Sequence, residues 1–264
     1  MKACLNLFAG WRMGQTVLGS TFFTPPFKIA DISAGRAAGV LELMLMNASP
    51  GVLDRDDYTL EITLAAQARL HLRTQAYQRI FQMQQGATQR MHVRVGKGAA
   101  FTYLPLPVVP HAGSIFFSEN VIELSEGSVL IWGEVITCGR QNKGEVFRFT
   151  SYRSLTTILV DKKPVVRENL YLRPENWQPD APGQLEGYTH QAGLMLIGGS
   201  CAADLFIGKA KEVLESDPRI TFGISRLPVK GISVRILGFY AEDLQGHLQA
   251  LADCYEECCV ADIS

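Results

Sequence analysis

One short unit is written three times between residues 62 and 132, and that repetition limits the folds open to the chain. Each copy is an alternating strand, a small polar turn and a second alternating strand. The first reads Ile62, Leu64, a turn at Gln67, then Leu70 and Leu72. The second reads Val93, Val95, a turn at Lys97-Gly98, then Phe101 and Tyr103. The third reads Ile122, Leu124, a turn at Glu126-Gly127, then Leu130 and Trp132. Matching positions step by 31 residues and then by 29. Alternation with period 2 marks half-buried strands, and strands recurring at such a spacing are the signature of a stacked, solenoid-like β architecture. In such a stack each unit leaves one face open for the next to cover. A plain β-sandwich, whose strands also recur with regular turn signals, is the alternative.

With 264 residues the chain can build one large β domain or two smaller ones. Its 25 basic and 26 acidic residues nearly cancel, so it lacks the charge footprint of a nucleic-acid or anionic-membrane binder. The opening Met1-Lys2-Ala3-Cys4-Leu5-Asn6-Leu7-Phe8 is not a signal-peptide core, and no apolar run reaches ~18 residues, so a cytoplasmic location is expected. The six cysteines, at 4, 138, 201, 254, 258 and 259, are scattered like reduced thiols, and no Cys-x-x-Cys occurs.

Residues 1–20 read as a first strand and turn. Phe22-Phe23-Thr24-Pro25-Pro26-Phe27-Lys28 follows, where two prolines forbid a central strand and three phenylalanines are expected to plug one end of the stack. Residues 29–40 read as a small, Gly/Ala-rich loop, and Gly35-Arg36-Ala37-Ala38-Gly39 within it lacks the closing Gly-Lys-Ser/Thr of a phosphate cradle. Residues 41–46 form a continuous apolar strand that runs into the turn Ser49-Pro50-Gly51. Asp54-Arg55-Asp56-Asp57 is then either a solvated acidic turn or an oxygen-rich contact for a divalent ion. The glutamines at 82, 84, 85 and 89 can pair with one another across strands or with a partner. Leu104-Pro105-Leu106-Pro107-Val108-Val109-Pro110 reads as a stiff surface crossing, leaving His111 at the mouth of the stack as a solvated loop histidine, or as a metal or switch group.

Glu134 and Glu145 fall in segments otherwise built for burial, where a carboxylate is costly unless paired or metal-bound. Arg140 and Arg148 are available as partners. A weaker fourth strand pair covers 156–160 and 165–172, with Glu168 inside it. After a linker-like loop at 173–187 the grammar changes to a strand at 193–197, a helix at 202–215, strands at 220–227 and 232–237, and a closing helix at 242–258. Cys254 and Cys258 share a face of that helix, with Cys259 adjacent, either as buried apolar thiols or as thiolates for nickel or zinc. The reading is a mainly β chain. A stacked body covers 1–172, and a small α/β portion with two helices covers 188–264, packed on the body as one structural unit. No nucleophile elbow, zincin motif or dinucleotide fingerprint appears, and enzyme chemistry is not indicated.

The ordered set Phe22-Phe23-Thr24-Pro25-Pro26-Phe27-Lys28, Ser49-Pro50-Gly51, Leu70-His71-Leu72-Arg73-Thr74-Gln75-Ala76, Leu104-Pro105 through Val109-Pro110, Glu134 through Gly139-Arg140, and Gly144-Glu145-Val146-Phe147 resembles the urease accessory protein family UreD, called UreH in Helicobacter. Gly187-Tyr188-Thr189-His190 extends the likeness toward the Helicobacter-type members. The resemblance implies a β-helix-like stack with two helices and a non-enzymatic part in urease maturation. It implies binding to UreF and, through it, to the GTPase UreG, in a dimeric assembly that delivers nickel to apo-urease. It also implies a water-filled tunnel as the nickel route, with no tightly bound cofactor and nickel only in transit. By the match, Asp56, Asp57, Glu134 and Glu168 are placed on that route, although Asp54-Arg55-Asp56 departs from the family's glycine-rich turn. The C-terminal helices and neighbouring apolar edges are expected to meet UreF. A carbohydrate-active enzyme on a β-helix and a scaffold that never touches metal are the competing readings.

Overall fold

A computed structural model describes residues 1–33, 39–176 and 178–261, with the backbone alone for 259–261. Of the small-residue loop expected at 29–40, residues 29–31 are instead strand, and residues 34–38 fall outside the described residues, as do Trp177 and the side chain of Cys259. The chain opens with a hairpin, β1 (Lys2–Arg12) and β2 (Gln15–Phe23), closed by Met13 and Gly14 at φ 48° and 80°. Two successive positive φ values make the type I′ turn whose twist suits a two-residue hairpin. A second antiparallel pair follows, β3 (Phe27–Asp31) and β4 (Val40–Asn47).

The repeat then winds as coils. The first is β5 (Asp57–Leu64), β6 (Arg69–Thr74) and β7 (Gln78–Ile80). The second is β8 (Ala87–Val95), β9 (Ala100–Tyr103) and β10 (Val108–Pro110), and the third begins with β11 (Ile115–Leu124) and β12 (Val129–Thr137). Strands β5, β8 and β11 pair in parallel, with Leu64, Val95 and Leu124 in one row. Strands β6, β9 and β12 do the same in the facing sheet, with Leu70, Phe101 and Leu130 in one row and Leu72, Tyr103 and Trp132 in another. The three copies thus lie over one another residue for residue, bonded edge to edge. It is the facing sheet, rather than the next copy, that covers each apolar face.

The turns explain both the winding and its end. Gln67, Gly98 and Gly127 each take a positive φ (65°, 63° and 69°) after a bond across the turn, from the N–H of Ala68, Ala99 and Ser128 to the carbonyl three residues earlier. One left-handed residue at the third position makes a corner that sends the chain into the facing sheet. At the fourth turn both Asp161 and Lys162 are left-handed (47° and 65°). That pair closes a hairpin instead, so β13 (Ser151–Val160) stacks in parallel on β11 while β14 (Lys163–Leu172) folds back antiparallel. The weaker strand pair read near the end of the repeat is thus the device that stops it.

The remaining elements are β15 (His190–Ile197), α1 (Ala203–Glu215), β16 (Thr221–Arg226), β17 (Gly231–Gly238) and α2 (Ala241–Ala261). The seven-stranded sheet runs β14-β13-β11-β8-β5-β1-β2, and the main path of the ten-stranded sheet runs β16-β17-β15-β12-β9-β6-β4-β3. The stretch read as a surface crossing at 104–110 instead contributes β10, which pairs in parallel with β7 and touches β12. These three-residue strands form a narrow side wall between the two sheets, joined by a bridge from Val52 to Ile80.

Alternation along the ten-stranded sheet feeds two cores. Leu130, Trp132, Ile136, Met195 and Ile197 enter the core between the sheets. Ile131, Val135, Ala192, Leu194 and Leu196 face the helices, meeting Phe206, Ala210 and Leu214 of α1 and Leu244, Leu248, Leu251 and Tyr255 of α2. The α/β portion is bonded into the body, because β15 pairs antiparallel with β12 from Leu130–Ile197 to Thr137–His190. Of the three phenylalanines expected to plug the stack, Phe27 is buried, edge-on to Tyr58 with ring centres 5.1 Å apart, while Phe22 and Phe23 lie exposed. No helix among the described residues is long and apolar enough to cross a membrane.

Phe101 sits in the middle of its row with no accessible surface to speak of (1%). Phe101→Ala is expected to cost ~3–5 kcal/mol and to lower the melting temperature by on the order of 10 °C. Thermal unfolding followed by circular dichroism measures it; a shift within ~1 °C would contradict stacking through this row.

Candidate functional site

Inward-facing positions along a buried strand are ordinarily apolar, and two strands break that rule at the same level. The inward series of β11 is Phe116, Ser118, Asn120, Ile122 and Leu124, and that of β13 is Tyr152, Ser154, Thr156 and Ile158. Parallel register sets Ser118 beside Ser154 and Asn120 beside Thr156, and the β13–β14 hairpin sets Thr156 beside Glu168. All four small polar residues are buried. From the facing sheet, β12 directs Glu134 at them, between Trp132 and Ile136 in the inward series.

Four donors converge on the Glu134 carboxylate. Ser154 Oγ donates to Oε2 at 2.9 Å, while Trp132 Nε1 (3.2 Å), Thr156 Oγ1 (3.3 Å) and Asn120 Nδ2 (3.4 Å) donate to Oε1. Asn120 Nδ2 also donates to Thr156 Oγ1 at 3.0 Å, which holds the cluster together across β11 and β13. None of these donors is charged. The other carboxylate read as buried, Glu145, is instead answered by Arg140 in a two-pronged ion pair and by the Ala112 N–H at 3.1 Å. That pairing holds Glu145 down at about 2.

Glu134 lies where two cavities meet. The larger, about 260 Å³, is reached at the surface past Asn47, Pro50, Ala76 and Arg79 and runs inward between Tyr103, Phe116 and Tyr152 to Glu134. The smaller, about 30 Å³, continues from Glu134 past Thr156, Gln191 and Gly193 to Glu168. The larger is far above the ~10–15 Å³ that one water needs, and its walls carry the polar partners that water requires. Gly51 belongs at its rim for a steric reason, since a Cβ there would stand 2.4 Å from the Arg79 carbonyl oxygen and 2.7 Å from the Phe81 ring. Of the glutamines read at 82, 84, 85 and 89, Gln89 lies along it and accepts at Oε1 from Gln78 Nε2, outside that set, at 3.0 Å.

Burial pushes the Glu134 carboxyl above the ordinary glutamate value of 4.5; the Ser154, Trp132 and Thr156 donors pull it back, and the negative charge of Glu168 pushes the same way as burial. Tyr103 and Tyr152, walled in beside it, are raised by burial first and by the Glu134 charge second. The surroundings of Glu134 therefore favour its neutral form without removing the donors that would receive a charge.

The structure brings Glu134 and Glu168 to one passage and leaves the other two route candidates away from it. Asp56 is buried at the end of the stack. Its carboxylate accepts from the Met1 ammonium (2.8 Å), the Leu53 N–H (2.8 Å) and the Tyr58 hydroxyl (2.6 Å). Burial alone would raise it, but these bonds outweigh burial and leave it lowered. Asp57 is half-buried and pairs with Arg90 at 2.7 Å. Neither lines either cavity. His111 is buried rather than solvated, with its ring 4.7 Å from that of Phe81, and burial, with Arg140 second, lowers its pKa. Cys258 is buried in the core beneath the helices and Cys254 packs against it, the apolar role of the two open to them. Among the described residues no three His, Cys, Asp or Glu side chains gather as a metal-ion cluster.

The partners of Glu134 were in view in the sequence without being singled out. Asn120, Ser154 and Thr156, with Ser118 beside Asn120, fall in the inward phase of their strands, and polar residues at inward positions of two stacked strands are the signal that finds them.

Comparison with known proteins bears on the whole chain. The family described as UreD urease accessory protein matches residues 1–261. A protein of Flavobacterium johnsoniae named Urease accessory protein UreD is 42% identical over 241 residues, covering 91% of this chain and 87% of its own. Proteins of the same name from Acetivibrio thermocellus and Actinobacillus pleuropneumoniae are 36% and 32% identical, over 90% and 88% of this chain and 91% and 88% of theirs.

A carboxyl whose pKa is raised by folding binds its proton more tightly in the native chain than in the unfolded one. Its contribution is thus full below 4.5 and is lost as pH climbs from 4.5 through the raised value. Glu134→Gln, which keeps the shape and cannot ionise, is expected to melt higher than the parent at pH 8, with the gap closing toward pH 4. About 1 kcal/mol corresponds to roughly 2–4 °C in a domain of this size. Melting curves from pH 4 to pH 8 decide it, and a gap that is constant with pH would show that Glu134 ionises as freely as in water.

Proposed function

The chain belongs to the UreD family of urease accessory proteins, and from that premise we propose that it is a cytoplasmic metallochaperone scaffold that passes nickel to apo-urease through its own interior. Its role is in urease maturation, and it is an accessory protein rather than an enzyme. In the proposed reading it binds UreF and, through UreF, the GTPase UreG, in a dimeric assembly of the complex.

The observation that carries the metal part of this reading is the meeting of two cavities at Glu134. A divalent cation entering the larger cavity meets hydroxyl, amide and carboxylate oxygens rather than thiolates or imidazoles. Such oxygen ligands hold borderline ions such as nickel less firmly than nitrogen or sulfur does. A carboxyl that favours its proton binds a cation only by giving that proton up, which weakens the hold further. Glu134 then passes the ion to Glu168 across the smaller cavity, and neither stop traps it. A buried carboxyl answered by uncharged donors alone, at the meeting of two cavities, is what favours this reading over a scaffold that never touches metal.

The partner surface is proposed at the α/β portion. The apolar rows of α1 and α2 are taken up by the second core, so their other sides and the β17–α2 junction remain for a partner. Phe239 and Tyr240 stand exposed at that junction and Leu205 on α1. Deleting residues 239–264 would strip Leu244, Leu248, Leu251 and Tyr255 from the core, so substitution is the sounder test. Phe239→Asp combined with Tyr240→Asp is expected to reduce UreF retention in a pull-down by roughly tenfold, the loss of ~1.4 kcal/mol, while the melting temperature stays within ~2 °C. Full retention would move the interface elsewhere.

Co-expression with urease operon partners tests the role as a whole, with a stable complex and urease activity dependent on this chain as the expected result. Within that assay Glu134→Ala, Glu168→Ala and Gly193→Val each probe the passage. A Cβ at Gly193 would meet no heavy atom within 4 Å, so the valine methyls are expected to fill the smaller cavity without moving either carboxylate. At limiting nickel each variant is expected to assemble normally and to activate urease roughly tenfold more slowly. Normal kinetics in all three would leave the scaffold-only reading.

A further inference from the structure

The larger cavity carries more aromatic surface than a route for a metal ion calls for. Two pairs of rings line it, one pair from each sheet. From the ten-stranded sheet, Tyr103 on β9 and Trp132 on β12 stand side by side, with ring centres 4.8 Å apart and planes tilted by 40°. From the seven-stranded sheet, Phe116 on β11 and Tyr152 on β13 stack with centres 6.1 Å apart. Each pair occupies opposed positions in its parallel register, and all four side chains are buried. Both pairs sit at the Glu134 end of the cavity. Trp132 Nε1 donates to that carboxylate, and its charge reaches both Tyr103 and Tyr152.

A metal ion is held by oxygen, nitrogen or sulfur donors, and ring carbons offer none. What a ring offers is a quadrupole, negative over its face, which attracts a cation whose surface is hydrocarbon. An alkylammonium ion is such a cation. Its methyl or methylene groups pack as apolar surface, and its positive charge is spread over them. It also needs an anionic group to offset its burial, and Glu134 is a carboxyl that no charged donor answers. Burial disfavours the ionised form of Glu134, and a cation seated beside it supplies the missing opposite charge. Size agrees as well. At about 260 Å³ the cavity lies just below the ~300 Å³ at which pockets for drug-sized molecules begin, so a smaller ligand fits it.

We propose that the larger cavity is a binding site for a small alkylammonium cation, seated between the Tyr103–Trp132 and Phe116–Tyr152 pairs with its charge against Glu134. The rings take the alkyl shell and Glu134 takes the charge, so a neutral molecule of the same shape keeps the packing and loses the attraction. Such a site needs only the cavity and its walls, and it stands whether or not nickel travels the passage. Where nickel does travel it, an alkylammonium at Glu134 occupies the point at which the two cavities meet and blocks the way for as long as it stays.

Calorimetric titration of the purified full chain at neutral pH tests this, with choline as one ligand and its uncharged carbon analogue, in which tert-butyl replaces trimethylammonium, as the other. Choline is expected to bind roughly tenfold more tightly than the analogue. Glu134→Gln, which keeps the shape of the side chain, is expected to lose that advantage. Phe116→Leu is expected to weaken choline roughly three- to tenfold and to leave the analogue within about twofold. Melting curves check that each variant folds, and the comparison of the two ligands on the parent chain stands without either variant. Equal affinity for the two ligands would make the cavity an ordinary apolar pocket and overturn the proposal. Choline binding that Glu134→Gln leaves untouched would overturn it too, as would no binding of either ligand at millimolar concentration. Nickel uptake by the same chain, followed with a metallochromic indicator, separates the site from the passage. Slower uptake with choline bound places both at Glu134. Unchanged uptake with choline bound would take the passage away from Glu134 and leave the alkylammonium site in place.

Discussion

Parallel strands paired without slippage put every inward side chain of one coil against the inward side chain of the next, and most of this molecule follows from that constraint. A one-residue slip anywhere among β5, β8, β11 and β13 would turn an entire apolar row outward. The turns hold the register, because Gln67, Gly98 and Gly127 stack through backbone bonds from the Gln67 N–H to the Lys97 carbonyl (3.0 Å) and from the Gly98 N–H to the Glu126 carbonyl (3.1 Å). The same constraint forces polar residues to travel together. Once Ser118 and Asn120 occupy inward positions on β11, the strand stacked on it must answer at those levels, and Ser154 and Thr156 do. A polar seam in a stacked fold is therefore a property of rows.

Keeping Glu134 inside such a seam depends on which donors are chosen. A guanidinium would fix the charge and hold the carboxylate permanently ionised, as Arg140 does for Glu145. Hydroxyls, an amide and an indole satisfy the oxygens without supplying a positive charge. The carboxyl is thereby left favouring its proton, whereas the ion pair holds Glu145 ionised. The two glutamates read together from their apolar surroundings shift in opposite directions because their partners differ in charge.

The repeat was legible because its signal is local. Alternation and turn chemistry sit within each copy, and the steps of 31 and 29 residues are the offsets of the Leu64–Val95 and Val95–Leu124 rows. The helices and late strands were legible for the same reason, with bounds off by one to three residues. The side wall was not, because β7 and β10 are three residues long and β10 ends in a proline that masks a strand. His111 was misplaced along with that wall. Glu134 was flagged by its apolar neighbours, but its donors come from β11 and β13 as well as β12. The contacts of Asp56 depend on the Met1 ammonium, 55 residues away in sequence. The row of opposed residues that runs from Glu134 through Gly193 and Arg235 to Gly223 depends on the order β12-β15-β17-β16, which no local pattern encodes.

That row raises the question of how a sheet tolerates two glycines and a half-exposed arginine on one face. Glycine in a strand interior forfeits side-chain packing and is ordinarily weakening. Here the opposite face of the same strands bears the load. Ala192, Leu194 and Leu196 of β15, with Ile232, Val234 and Ile236 of β17, bury against both helices in the second core. Those contacts hold β15 and β17 in place whatever their other face carries. The helices thus do more than close the chain. By supplying a core on one side of the ten-stranded sheet, they release the other side from packing duty just where the seven-stranded sheet ends, and the bare glycines, the two glutamates and Arg235 all lie in the space so released. A β stack without that helical layer would have to fill the same face with apolar side chains to stay folded, and would close the passage in doing so.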